Sequence, residues 1–250
     1  MENTKFKDNR SKEEIFNAAE LLSLMKSCPI PDGQVLSNLG LFLTSKDLAR
    51  IKFMDFIYQK IINVHGVVFD LGTRWGQNIA IFSALRGIYE PFNRHRKIVC
   101  FDTFTGFPSV HEKDGTSDFI RVSNISCTHN YELYLDKIIK YHESLNPVSH
   151  IKKYEIVKGD ACIELPKYLD HNKETIISLA YFDFDLYEPT YHCLKSIKNR
   201  LTKGSILAFD ELCDHDSPGE TVALQEVFGL NSIRLERVPF ASRVSYFTIE

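Results

Sequence analysis

Two acidic strand ends carry the densest chemistry of this chain. Tyr181-Phe182-Asp183-Phe184-Asp185-Leu186-Tyr187-Glu188 is one, and Ile206-Leu207-Ala208-Phe209-Asp210-Glu211 is the other. Each is an apolar run that stops at carboxylates, with a helical stretch between them. As neighbouring parallel strands they would bring Asp183, Asp185, Asp210 and Glu211 together at the C-terminal edge of a sheet, where α/β folds bind ligands. Clustered carboxylates are costly unless a cation sits among them, and an oxygen-only set suits a hard cation.

Three earlier strand ends are also acidic. Asp70 precedes Leu71-Gly72-Thr73-Arg74-Trp75-Gly76-Gln77-Asn78, a glycine turn into a helix start whose backbone N–H groups line a concave site. The third glycine of the dinucleotide fingerprint is missing, which weighs against NAD. Asp102, followed by Thr103, suits a ribose diol, because a carboxylate accepts from both hydroxyls. Gly159-Asp160 suits the exocyclic amine of an adenine. Taken singly, each acid reads as well as a helix N-cap or a loop end.

These residues need a scaffold, and the sequence predicts one. Strand and helix patterns alternate from Gly66: strands at 67–70, 97–102, 154–157, 176–182 and 205–209, with helices at 78–89, up to His142, 162–169, 190–200 and 220–228. Two tail strands, 232–238 and 243–249, turn near Pro239. The pattern implies an α/β fold: a doubly wound, mostly parallel seven-stranded sheet with an antiparallel edge hairpin. Residues up to Arg10 are expected to be disordered. A capping box at Ser11-Lys12-Glu13-Glu14 opens a helix to about Lys26, and Pro29 to Gly33 reads as a turn. A second helix runs from Asp47 to Asn63 with Ile51, Met54, Phe56, Ile57 and Ile61 available for packing. The expected organisation is a helical extension, 1–64, and a catalytic unit, 65–250, without a sharp boundary.

At these motifs the chain resembles the macrocin O-methyltransferase family, class I S-adenosylmethionine-dependent sugar O-methyltransferases. Asp102-Thr103-Phe104-Thr105-Gly106-Phe107-Pro108 is similar to the family's segment after strand two. Asp183-Phe184-Asp185-Leu186-Tyr187-Glu188-Pro189-Thr190 matches its most specific stretch at six of eight positions. Gln77-Asn78, Phe184 and Glu211 depart from it, standing where the family has Gly-Ser, Gly and Asp. The resemblance implies S-adenosylmethionine held by Asp70, Gly72, Thr73, Arg74, Gly76, Asn78, Asp102, Thr103, Gly159, Asp160 and Asp183. It implies a divalent metal, usually Mg2+, on Asp183, Asp210 and Glu211. Asp183 would ligate the metal and take the acceptor proton, while Asp185 would orient Asp183 or bind the sugar.

Other residues border the same chemistry. His129, His192 and His215 are alternative bases, His192 being the one whose helical position favours a structural role. Trp75 either shields the methionine part of the cofactor or packs on the first helices. The 103–128 loop, with His111, Lys113 and Asp114, reads as a lid or as a disordered surface loop.

The global numbers exclude several classes. At 250 residues and a net charge of −3, the chain shows no nucleic-acid signature. The run Arg94-His95-Arg96-Lys97 reads as a solvated loop. Six cysteines without a CxxC pair read as reduced residues of a cytoplasmic protein. The polar start shows no signal pattern, and no apolar stretch nears the roughly 20 residues that span a bilayer. The expected acceptor is a small-molecule hydroxyl, a nucleotide-linked or glycan sugar, acted on by a homo-oligomer without membrane or nucleic-acid partners. Rival readings are an NAD-type oxidoreductase, a non-catalytic scaffold and an oxygenase-type relative.

Overall fold

The computed structural model describes residues 10–250, so the disorder expected before Arg10 lies outside the described residues. Alternating apolar runs form five parallel strands: β1 (Val67–Leu71), β2 (Ile98–Asp102), β3 (Tyr154–Lys158), β4 (Ile177–Phe182) and β5 (Leu201–Phe209). β6 (Glu236–Val238) and β7 (Ala241–Thr248) complete a seven-stranded sheet of order β3-β2-β1-β4-β5-β7-β6. β7 runs antiparallel to both β5 and β6, which makes the edge hairpin expected from the sequence. β1 and β4 are neighbours, and the order reverses there, which opens a crevice above their C-terminal ends.

Eight α-helices join or flank these strands: α1 (Lys12–Lys26), α2 (Asp32–Val35), α3 (Ser45–Ile61), α4 (Gln77–Tyr89), α5 (Tyr131–Ser144), α6 (Ala161–His171), α7 (Tyr187–Ile197) and α8 (Gly219–Phe228). Capping boxes at Ser11/Glu14 and Thr44/Asp47 start α1 and α3, satisfying N–H groups that the first turn leaves open. Residues 29–33 do not form a simple turn. They lead into α2 and a 3-10 stretch, Leu36–Phe42.

Side chains alternate across each strand, so the sheet carries two cores. On one face Val68, Ile98, Leu179 and Tyr181 pack against Met54 and Ile57 of α3, Phe82 of α4 and Ile139 of α5. On the other, Phe69, Phe101, Phe182 and Phe209 pack against Leu165 of α6, Leu194 of α7 and Leu224 of α8. α3 is therefore part of the core, although it lies in the segment read as an extension. Ile51 and Phe56 are only half-buried, while Phe53 and Tyr58 are buried in their place.

One expectation is corrected here. Arg96 is not solvated: it is 1% exposed, pairs with Glu90 at 2.7 Å and donates to the carbonyls of Ile61 and Val64. A planar fork of donors satisfies the open C-terminal carbonyls of α3 and ties them to the start of β2.

Candidate active site

The crevice opens into a cleft of about 540 Å³ at the C-terminal edge of β1, β2, β4 and β5. Gly72, Thr73, Arg74, Asn78, Asp102, Thr103, Gly159, Asp160, Asp183, Asp185, Asp210 and Glu211 line it, so the topology gathers twelve of the fourteen expected site residues. Asp70 and Gly76 are not among the lining residues. Asp70 is fully buried behind the glycine turn, accepting from Thr73 Oγ1 at 2.7 Å and Asn78 Nδ2 at 3.1 Å. Burial raises its pKa to about 6, against the pull of those two donors. It shapes the loop that the cofactor would touch.

The turn itself is forced by close approach. Gly72 has φ +92°, and a Cβ there would lie 2.1 Å from the Asp183 carbonyl oxygen. The Asp183 N–H also donates to the Leu71 carbonyl. The glycine loop and the end of β4 are thus one crossing of backbone.

On the β2 side, Asp102 accepts the Arg74 amide on Oδ2 at 2.8 Å and the Phe104 amide on Oδ1. Burial raises its pKa, and the two amides oppose that rise. A carboxylate clamped by amides and facing a cleft keeps lone pairs for a ribose diol, so the residues fit an adenosyl cofactor. Asp160 caps α6 through the Cys162 amide while also lining the cleft. Trp75 lies edge-on to Tyr131 at 4.8 Å and is 39% exposed at the cleft wall.

The wall at the ends of β4 and β5 is built from charge. Arg50, from α3, reaches between the two acidic strand ends: Nη2 donates to Asp183 Oδ2 at 2.7 Å, and Nη1 to Asp210 Oδ1 at 3.2 Å. It also donates to Asn78 Oδ1. Tyr181 adds a hydroxyl to Asp210 at 2.7 Å. Burial alone would lower the Arg50 pKa; Asp183, Tyr181 and Asp210 outweigh it and hold the guanidinium charged. Burial and then Asp210 raise Asp183 to about 7, with Arg50 pulling against them. Burial, then Asp183 and Glu220, push the Asp185 carboxyl well above the ordinary carboxylate range. Asp185 sits at φ +61°. Its amide and that of Phe184 donate to Glu220 Oε1 from α8, while Glu220 Oε2 is buried without a partner. Burial raises Glu220 to about 8.

In this structure the Arg50 guanidinium supplies the positive charge between Asp183 and Asp210. Glu211 does not join Asp183 and Asp210: it accepts from Ser217 Oγ at 2.6 Å and pairs with Arg243. Among the described residues no three His, Cys, Asp or Glu side chains gather as a cation site. The trio Asp183, Asp210 and Glu211, as arranged here, does not fit a divalent ion. The sequence reading missed Arg50, Arg243 and Glu220, because each acts across the chain; Arg50 and Asp183 lie 133 residues apart.

The 103–128 loop is not a disordered surface loop. Phe107 and Ile120 pack on Leu186, Asn124 bonds within the loop, and Asp114 accepts the Tyr187 amide at the start of α7. Phe107, Pro108 and Phe119 form a wall of the cleft. His129, His192 and His215 are all exposed and none lines the cleft. The cysteines are free. No helix among the described residues is long and apolar enough to cross a membrane.

No protein-family model matches the chain, and no curated protein sequence does. Solved structures do. The structure of CalS11, calicheamicin methyltransferase, is 37% identical over 99% of both chains with a TM-score of 0.94. The apo structure of CalS11, described as a TDP-rhamnose 3'-O-methyltransferase of calicheamicin biosynthesis, is 36% identical over 96% of both chains at a TM-score of 0.85. The O-methyltransferase NovP, 17% identical over 80% of this chain and 79% of its own at a TM-score of 0.61, supports the fold alone. Likeness of this depth sets aside the oxidoreductase, scaffold and oxygenase readings. A cleft with a carboxylate clamp on one side and a charged acceptor wall on the other, on a backbone shared end to end with a sugar methyltransferase, places the chain in the macrocin O-methyltransferase-like family of S-adenosylmethionine-dependent sugar O-methyltransferases.

Proposed function

We propose that the protein methylates a hydroxyl of a nucleotide-linked sugar. The observation that carries this reading is that Asp102, clamped by the Arg74 and Phe104 amides, and Asp183, a carboxylate suited to proton removal, line the same cleft. The likeness to a protein described as a TDP-rhamnose methyltransferase supports the acceptor class. Gly72, Thr73, Arg74, Asn78, Asp102, Thr103, Gly159 and Asp160 would hold S-adenosylmethionine, with Asp70 and Gly76 shaping the loop and Asp183 at its edge. Bound S-adenosylmethionine supplies a methyl group on a sulfonium sulfur, which leaves as a thioether when the acceptor oxygen attacks.

The chain's own residues do the rest. Asp183 receives the acceptor proton; a carboxylate raised to about 7 is matched to that task near neutral pH. Arg50 orients Asp183 through Oδ2 and keeps it from rising further. Asp185, which lines the same cleft, orients Asp183 or binds the sugar. The acidic trio implied for Mg2+ is not assembled in this structure, Glu211 being held by Ser217 and Arg243. The reacting unit comprises residues 65–250, with α3 of the 1–64 extension covering the cleft.

The test is incubation with S-adenosylmethionine and TDP-rhamnose, followed by mass spectrometry. One added methylene on the sugar nucleotide, with matching S-adenosylhomocysteine, is expected. Calorimetric binding of S-adenosylhomocysteine without turnover on any nucleotide-linked sugar would overturn the acceptor class. Absence of binding as well would overturn the cofactor assignment.

A further inference from the structure

Four cationic side chains line the cleft: Lys46, Arg50, Arg74 and Arg243. Arg74 belongs to the glycine loop, and Arg50 is spent on Asp183 and Asp210. Lys46 and Arg243 have no part in the proposed proton transfer. Lys46 lies one turn before Arg50 on α3, so the two share a face. α3 runs from the C-terminal edge of the sheet, where Arg50 meets Asp183, to the opposite edge, where Arg96 joins the Ile61 and Gly66 carbonyls. Lys46 therefore stands nearer the cleft mouth than Arg50, by about 6 Å of helix rise, comparable to the width of a pyranose ring. It is exposed, and no acid pairs with it among the described residues. The adjacent acid, Asp47, is committed to the helix cap, accepting from the Thr44 amide and hydroxyl.

Arg243 comes to the same cleft from the edge hairpin. β7 pairs antiparallel with β5, Ser245 opposite Phe209, so position 243 falls beyond the C-terminal end of β5, beside Glu211. The hairpin turn and α3 are neighbours, with Lys52 Nζ 4.8 Å from the Phe240 ring centre. Glu211 and Asp214 both approach Arg243 at Nη2, the second at 3.9 Å. No acceptor takes its Nε or Nη1 among the described residues, and its side chain is 56% exposed. One edge of the guanidinium is thus tethered, and the remaining donors of its planar fork are open.

We propose that Lys46 and Arg243 hold the diphosphate of the acceptor at the cleft mouth, with the sugar ring between them and Asp183. The inference rests on the proposed nucleotide-linked acceptor and adds the residues that recognise its anion. A guanidinium fork suits two phosphate oxygens at once, and an ammonium serves as a movable point charge beside it. A sugar already joined to an aglycone lacks this anion. The pair therefore selects the sugar before glycosyl transfer, and a glycosyltransferase is the class of enzyme that would consume the product.

Calorimetric titration of the full chain, saturated with S-adenosylhomocysteine, with TDP and separately with thymidine tests this. The wild type is expected to bind TDP about tenfold or more tighter than thymidine, a preference that shrinks as salt is raised. Lys46→Met and Arg243→Met should each reduce that preference by about fivefold or more, and Lys46→Arg should restore most of it. Lys46 is exposed, so Lys46→Met should keep the wild-type circular dichroism spectrum, and it carries the test even where Arg243→Met releases Glu211 and disturbs its loop. A folded Lys46→Met protein with the wild-type preference overturns the inference. So does a wild type that binds TDP no better than thymidine, or binds neither. Turnover of TDP-rhamnose reads the acceptor proposal separately. Methyl transfer without a preference for TDP removes the diphosphate site alone, and the preference without methyl transfer removes the acceptor sugar alone.

Discussion

The donor and acceptor sides of the cleft are built by different means. On the donor side, Gly72, Arg74 and Phe104 present backbone, and one carboxylate, Asp102, is fixed by neighbours in sequence or by the adjoining strand loop. On the acceptor side Asp183, Asp210, Tyr181, Asn78 and Arg50 meet as side chains from distant elements. In the proposed reading, backbone would hold the nucleoside in one geometry, while the charged network would set protonation states. Damage to the first should be read in affinity and damage to the second in rate and pH dependence.

Asp183→Asn separates the two most sharply. Transfer should fall roughly 10²–10⁴-fold, the usual worth of a positioned base, with S-adenosylhomocysteine affinity held within a few-fold by calorimetry. If rate and affinity fall together, the two sides are not independent. Asp102→Ala should do the reverse: cofactor affinity weaker by roughly 10–100-fold, with saturating turnover changed much less.

Arg50→Met should lower transfer by about tenfold and move the acid limb of the pH–rate profile upward by about one pH unit or more, because Arg50 is the group that pulls Asp183 down. A profile that stays in place would disconnect Arg50 from Asp183. The smallest effect concerns stability. Glu220 binds its proton more tightly folded, at about 8, than at the ordinary 4.5. Between those values the native state holds more protons, so stability falls as pH rises. Asp183 and Asp70, also raised, act in the same direction. The melting temperature should decline through this window, and Glu220→Gln should flatten the decline by roughly 2–4 °C.

The same division explains what was legible in the sequence. The strands, the capping box at Ser11 and the acidic strand ends are local patterns, and the doubly wound sheet with its antiparallel edge was read from their alternation. The donor loop was readable for that reason, except that Asp70 supports it from behind. The acceptor side was half readable. Asp183 and Asp210 announce themselves at strand ends, but Arg50 sits on a helix face with nothing nearby to mark it. Glu211, one residue from Asp210, points to Ser217 and Arg243, a choice made by loop packing. Arg96 looked like one of a basic run, because its partners Glu90, Ile61 and Val64 come from three-dimensional contact.

The crossing of Gly72 beneath Asp183 also bears on how this scaffold could be diversified. Any side chain at position 72 would push the β4 end, and with it Asp183, out of line. A combinatorial library aimed at new acceptors would therefore recover glycine alone at 72. Phe184, whose ring lines the cleft one residue past the crossing, would be the position where such a library finds working variants.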